Sequence, residues 1–307
     1  MALKLDGYID LPAHVAPGGF DHAAIHERTR RLYVAHTAND AVDVIDCSRD
    51  VFLRSIGGLR GVAGVLVSDE LDCAFTSNRG EDTVGIFEPG AEDSVAKVPV
   101  GVGPNGLAFD PARHTLVAAN VGNPAVAGSF TLSIVDVGTR SMRASISVPG
   151  RTRWTIYDGK RDRFFVNIAN PARIVVVAAS DPVRIDTTYD VPATGPHGLD
   201  LDADTGRLLC ACDDGQFVTL EAGTGSVVGV LPLSGAPDVI FLDSALGRCY
   251  VAIGDPGVID VIDVRNNRRL ESVPTEPGAH TTALDARRHR LYVFLPKTHR
   301  AAVLTDR

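Results

Sequence analysis

The sequence predicts an all-β chain: a seven-bladed β-propeller with four antiparallel strands per blade, its ring closed by the N-terminal strand. Three observations predict it. A phrase of forty-odd residues returns seven times along the 307 residues, and a four-stranded unit of that period is the mark of propeller blades stacked around a channel. No segment holds helical periodicity over ten or more residues, whereas short runs with period-two apolar alternation recur throughout. Thirty glycines and eighteen prolines are spread evenly, as a chain with several turns per repeat requires.

Each repeat opens with a short apolar strand, as in "HAAIHE", "NGLAFD", "HGLDLD" and "HTTALD". A polar turn follows, then a second strand such as "RLYVAH", "TLVAAN", "RLLCAC" or "RLYVFL", and a third such as "AVDVID" or "VIDVID". In the first blade the strands are placed at Ala23–Ile25, Leu32–Ala35, Val42–Ile45 and the outer 51–56. Blades are expected near 20–59, 60–102, 103–149, 150–194, 195–234, 235–276 and 277–307, all within one domain, 1–307. The seventh runs out after its third strand, "AAVLTD". An orphan strand at 6–12, "DGYIDLP", is expected to complete it and remove an exposed sheet edge.

The repeat "YVAHTANDAVDVID" (33–46) resembles that of the YVTN-type seven-bladed propellers, and the resemblance runs over nearly the whole chain. It implies the fold and leaves the activity open, because that family includes enzymes, binding proteins and surface proteins. "GPHGLDLD" (195–202) is also similar to a repeat phrase of the streptogramin (virginiamycin B) lyases, metal-dependent propeller enzymes. By that similarity His197 is the counterpart of the lyase histidine. The segment that furnishes the lyase glutamate has no match: the corresponding stretches here read "CACDDG" and "YVAIGDPG".

Counting back eleven or twelve residues from the second strand reaches the start of each repeat: His22, Ala63, Asn105, Trp154, His197, Asp238 and His280. In a closed ring the blades carrying His197, Asp238, His280 and His22 are neighbours, so three imidazoles and a carboxylate should face one point at the channel mouth. Such a set suits Zn, Fe or Cu better than Mg. The metal ligands are therefore expected to be His22, His197, His280 and Asp238, with Asp238 as the alternative base. His36, at the end of the second strand, is a candidate fourth imidazole or a partner to the ligands. Arg153 is expected to clamp an anion, Trp154 to stack, and Asn105 to hydrogen-bond a substrate. Cys210 and Cys212, at strand spacing, read as two buried structural thiols. The Asp213–Asp214 pair reads as turn acids, and His14, His26, His114, His289 and His299 as surface residues.

These residues point first to a metal-dependent enzyme, lyase or hydrolase in type, acting on a small molecule at the channel mouth. Two alternatives remain open: a non-catalytic propeller that binds a protein or ligand, and a copper or iron redox protein. A net charge of −8 argues against nucleic acid as partner; the basic runs "RTRR", "RNNRR" and "RRHR" fall in turns. The start shows no apolar stretch long enough for a signal peptide or a membrane span. Five scattered cysteines suggest a reducing compartment, so the expected location is the cytoplasm.

Overall fold

A computed structural model of the chain describes residues 3–307, which form twenty-eight strands and one short 3-10 turn at Thr37–Asn39. The strands assemble into seven four-stranded antiparallel sheets, and in six of them the order is simply that of the chain. The seventh sheet takes Thr281–Asp285, Arg290–Leu295 and Arg300–Asp306 from the C-terminus and Leu3–Asp10 from the N-terminus. That pairing runs from Leu3 opposite Asp306 to Asp10 opposite Arg300. The closing strand thus begins and ends earlier than the expected 6–12. Pro12 has no N–H to donate, and the pairing fades after Leu11 N–H bonds the His299 carbonyl at 2.9 Å. Among the described residues no helix is long and apolar enough to cross a membrane.

The period-two alternation survives only in the outer strands. Val51–Ile56 alternates between exposed and covered residues, whereas Arg31–His36 and Ala41–Asp46 are buried at nearly every position. The middle strands of a blade have a neighbouring blade on each face, so both faces must be apolar.

Polar staples fix three of the blades to the next. The Tyr33 hydroxyl donates to Glu92 at 2.7 Å, that of Tyr250 to Asp306 at 2.6 Å, and that of Tyr292 to Asp50 at 3.2 Å. All three rings are fully buried. Two residues before each tyrosine an arginine (Arg31, Arg248, Arg290) pairs with the same acid. The last staple crosses from blade seven to blade one, so the closure is held by side chains as well as by strand pairing.

Adjacent inner strands come closest at their N-terminal ends. A Cβ on Gly198 would lie 2.5 Å from the Asp238 carbonyl oxygen, and Gly64 and Gly106 meet the Asn105 and Arg153 carbonyls as tightly. At these positions glycine is required by contact between blades. We expect Gly198→Ala to lower the unfolding free energy by roughly 2–3 kcal/mol in chemical denaturation. Gly223→Ala, whose Cβ would meet nothing within 4 Å, should stay within about 0.5 kcal/mol of the parent chain.

Candidate functional site at the channel mouth

The inner strands of blades five and six begin at Pro196 and Pro237, and those of seven and one begin at Thr281 and Ala23. His197, Asp238, His280 and His22 therefore stand at the same end of four neighbouring strands, as the repeat register requires. Asp238 lies between two of the imidazoles: Oδ1 is 3.1 Å from His197 Nε2 and Oδ2 is 2.8 Å from His280 Nδ1. The other nitrogen of His197, Nδ1, is 2.7 Å from Asp213 Oδ1, and Arg153 Nη2 reaches the second oxygen of Asp213 at 3.3 Å. His22 is 6 % exposed. Its Nε2 is 3.4 Å from Asp21, whose other oxygen is 3.5 Å from Arg79. Arg79 in turn donates to the Asn105 side-chain oxygen. A charged belt thus circles the mouth.

Its charges are distributed by burial and pairing. Burial opposes a positive charge on His197, but Asp238 and Asp213 overcome it and push the pKa up to about 9. His280 is raised in the same way, by Asp238 against burial. The carboxyl of Asp238 is held well below the usual range by His197 and His280 despite its burial. His22 is lowered, because burial outweighs its acidic neighbours. Beside this group three arginines, Arg79, Arg151 and Arg153, feel one another's charge. Burial, then Arg153 and Arg79, lower the pKa of Arg151. Among the described residues Arg151 has no ion pair with a carboxylate.

Trp154 separates this belt from the channel beneath. Its ring centroid is 4.1 Å from that of His22 on one side and 6.2 Å, edge-on, from Phe241 on the other. Below it a cavity of about 600 Å³ follows the inner strands through the ring.

No family model matches the chain. The "Uncharacterized protein YncE" of Salmonella typhimurium is 20% identical over 274 residues, covering 83% of this chain and 74% of that protein. The Salmonella typhi protein of the same name is similar to the same extent. Among solved structures, Kuenenia stuttgartiensis hydrazine synthase superposes with a TM-score of 0.83 at 13% identity, over 95% of this chain and 96% of that one. A chain of the mitotic checkpoint complex reaches 0.82 at 10% identity, over 98% and 91%. What is shared is the propeller. An enzyme and a protein assembly both use it, so it decides no activity.

The four expected metal ligands stand at one rim, where Asp238 lies against His197 and His280 while His22 pairs with Asp21. A metal needs a ring nitrogen with a free lone pair, and both nitrogens of His197 face carboxylates. Among the described residues no three or more His, Cys, Asp or Glu side chains are disposed to hold a metal ion. As it is paired here, His197 has no nitrogen free for Zn, Fe, Cu or Mg.

His36 is spent elsewhere. It is fully buried, with Nδ1 2.7 Å from Asp43 and Nε2 2.7 Å from His14 Nδ1. There it ties the segment after the closing strand to blade one. His26, expected on the surface, is fully buried. Its Nδ1 bonds Thr29 at 2.8 Å and its Nε2 lies 3.2–3.3 Å from Asp69 and Asp72 of the next blade. Cys210 and Cys212 are buried, with sulfurs 3.8 Å apart. Asp213, read from sequence as a turn acid, is the partner of His197. The signal for it was present: Pro196 pairs with Cys212, so the residue after Cys212 must reach the same rim. Asp21, Arg79 and Arg151 were missed as well.

The charge on His197 has a consequence for stability. Its folded pKa of about 9 lies above the ordinary 6.5, so its contribution is complete below about pH 6.5 and is lost as pH rises through about 9. The stability difference between the parent chain and His197→Gln should shrink by roughly 2–3 kcal/mol between pH 6 and pH 10. Denaturant titrations across that range check it; a constant difference would mean that the histidine is neutral.

Proposed function

We propose that this propeller is a small-molecule binding protein that receives a carboxylate-bearing ligand at the channel mouth. The observation that carries this is Arg151, an exposed guanidinium at the mouth with no ion pair among the described residues, lying in the repulsive fields of Arg153 and Arg79. Packing cations together costs free energy that an incoming anion recovers, and the planar fork of arginine matches a carboxylate. Arg153 keeps the anion-clamping role read from the sequence, and Asn105, already bonded to Arg79, sets the direction of one arm. Trp154 is the floor on which a flat ligand would rest.

The imidazoles support binding better than catalysis. A general acid or base works best with a pKa near the operating pH. His197, charged up to about pH 9 and donating both N–H groups to carboxylates, is a fixed positive charge on the rim. The metal-dependent enzyme suggested by the three histidines is the competing proposal, and metal content separates the two.

Titration calorimetry with succinate and with the neutral diamide succinamide tests the reading. The parent chain should bind the acid and not the amide. Arg151→Ala should weaken binding by about 10- to 100-fold, the size of one lost charge-assisted pair. Equal binding of acid and amide, or an unaffected Arg151→Ala variant, would overturn it. So would stoichiometric transition metal in the purified protein that disappears in a His22→Ala, His280→Ala double variant.

A further inference from the structure

Below Trp154 the channel is apolar, lined by side chains such as Leu66, Leu107, Phe109, Ile156, Ile240 and Phe241. One lining residue breaks that pattern. Asp200 stands opposite Leu209 in the blade-five ladder. The residues at the same place in the other six blades are Ala24, Val67, Phe109, Ile156, Phe241 and Ala283, each opposite the matching residue of its own second strand. Six blades put an apolar group there and one puts a carboxylate.

Asp200 is only partly satisfied. Its Oδ1 accepts the N–H of Leu201 and its Oδ2 that of Leu242, each at 2.7 Å. Both donors are neutral amides on the channel-facing edges of inner strands. His22, at the mouth and behind Trp154, is the one basic side chain among the lining residues. Burial dominates the surroundings of Asp200 and pushes its pKa up to about 6, so at neutral pH it still ionises, at a cost no protein cation offsets. A charge without a counter-ion in an apolar cavity is expensive. A cavity of about 600 Å³ also has the size of a small-molecule site.

We infer that the channel is a binding site for an amphipathic organic cation, an amine whose ammonium pairs with Asp200 while its apolar body fills the lumen. Phe109, Phe241 and Tyr157 also line the cavity, and aromatic faces favour a cation further. The apolar groups at the six equivalent positions leave room for a hydrocarbon or aromatic body and for a single charge. Nothing at the rim is needed for this, so the site stands apart from the carboxylate reading.

Calorimetry at pH 7.5 with three isosteric probes tests it: 4-phenylbutylamine, 4-phenylbutan-1-ol and 4-phenylbutyrate. The amine should bind the parent chain at least about 10-fold more tightly than the alcohol, and Asp200→Asn should abolish that preference while leaving the alcohol affinity unchanged. Arg151→Ala should not move the amine, whereas the rim reading makes it weaken the butyrate. An alcohol that binds as well as the amine, or an amine preference that persists in Asp200→Asn, would overturn the inference. Should Asp200→Asn fail to fold by circular dichroism, the amine-to-alcohol ratio of the parent chain decides alone.

Discussion

Everything at the mouth depends on how closely neighbouring inner strands approach at their N-terminal ends. Gly64, Gly106 and Gly198 each face a backbone carbonyl of the next blade at a distance no Cβ tolerates. His22 N–H bonds the Ala63 carbonyl at 3.0 Å, and the Asn167 amide bonds the His197 carbonyl at 3.0 Å. Residues thirty or more apart along the chain become neighbours through these contacts. A wider ring would leave Asp238 bonded to one histidine, and His197 would lose its charge. The electrostatics of the rim are thus set by backbone packing, and the closing strand, together with the Tyr292–Asp50 staple between blades seven and one, preserves that spacing through the seam.

The same geometry explains what was legible in the sequence. Strands and repeat register were readable because each blade announces itself with turn residues and an apolar second strand, and one register places His22, His197, Asp238 and His280 together without any structure. Burial was less legible. Alternation suggests one wet face, but the middle strands have none, and His26 looked like a turn residue although the acids of the next blade, Asp69 and Asp72, lie against its ring. Partners were the hardest part. Asp213 and Arg79 sit just past the ends of second strands, and their importance comes from which blade stands beside them.

That missing information also changes how the three imidazoles are charged. Three imidazoles and one carboxylate are an ordinary metal set when counted along the repeat. The structure adds Asp213 and Asp21, and the count becomes three carboxylates for three imidazoles. With so much negative charge, protonating histidine is favoured over leaving its lone pairs free. His197 therefore becomes a cation facing two carboxylates, while His22, nearly buried and tilted against Trp154, stays neutral. Two histidines at equivalent repeat positions thus end in opposite protonation states, because Asp238 and Asp213 flank one and an indole covers the other.

The ring is consequently divided along its axis. At the mouth, charged groups largely satisfy one another and the imbalance falls on Arg151. Past Trp154 the walls are hydrocarbon and the imbalance falls on Asp200. Both lie where the repeat departs from itself. Asp200 is three residues beyond His197 on the same inner strand, about 10 Å at the rise of a β-strand, so blade five supplies a positive group at the rim and a negative one in the lumen. A propeller built only for stability has no reason to depart from an apolar channel position in one blade of seven, since an alanine or a valine is accommodated there elsewhere. The cost of ionising a carboxylate in an apolar channel is repaid when something positive arrives. That makes the departure at Asp200 an argument for a ligand within the channel, independent of the network above it.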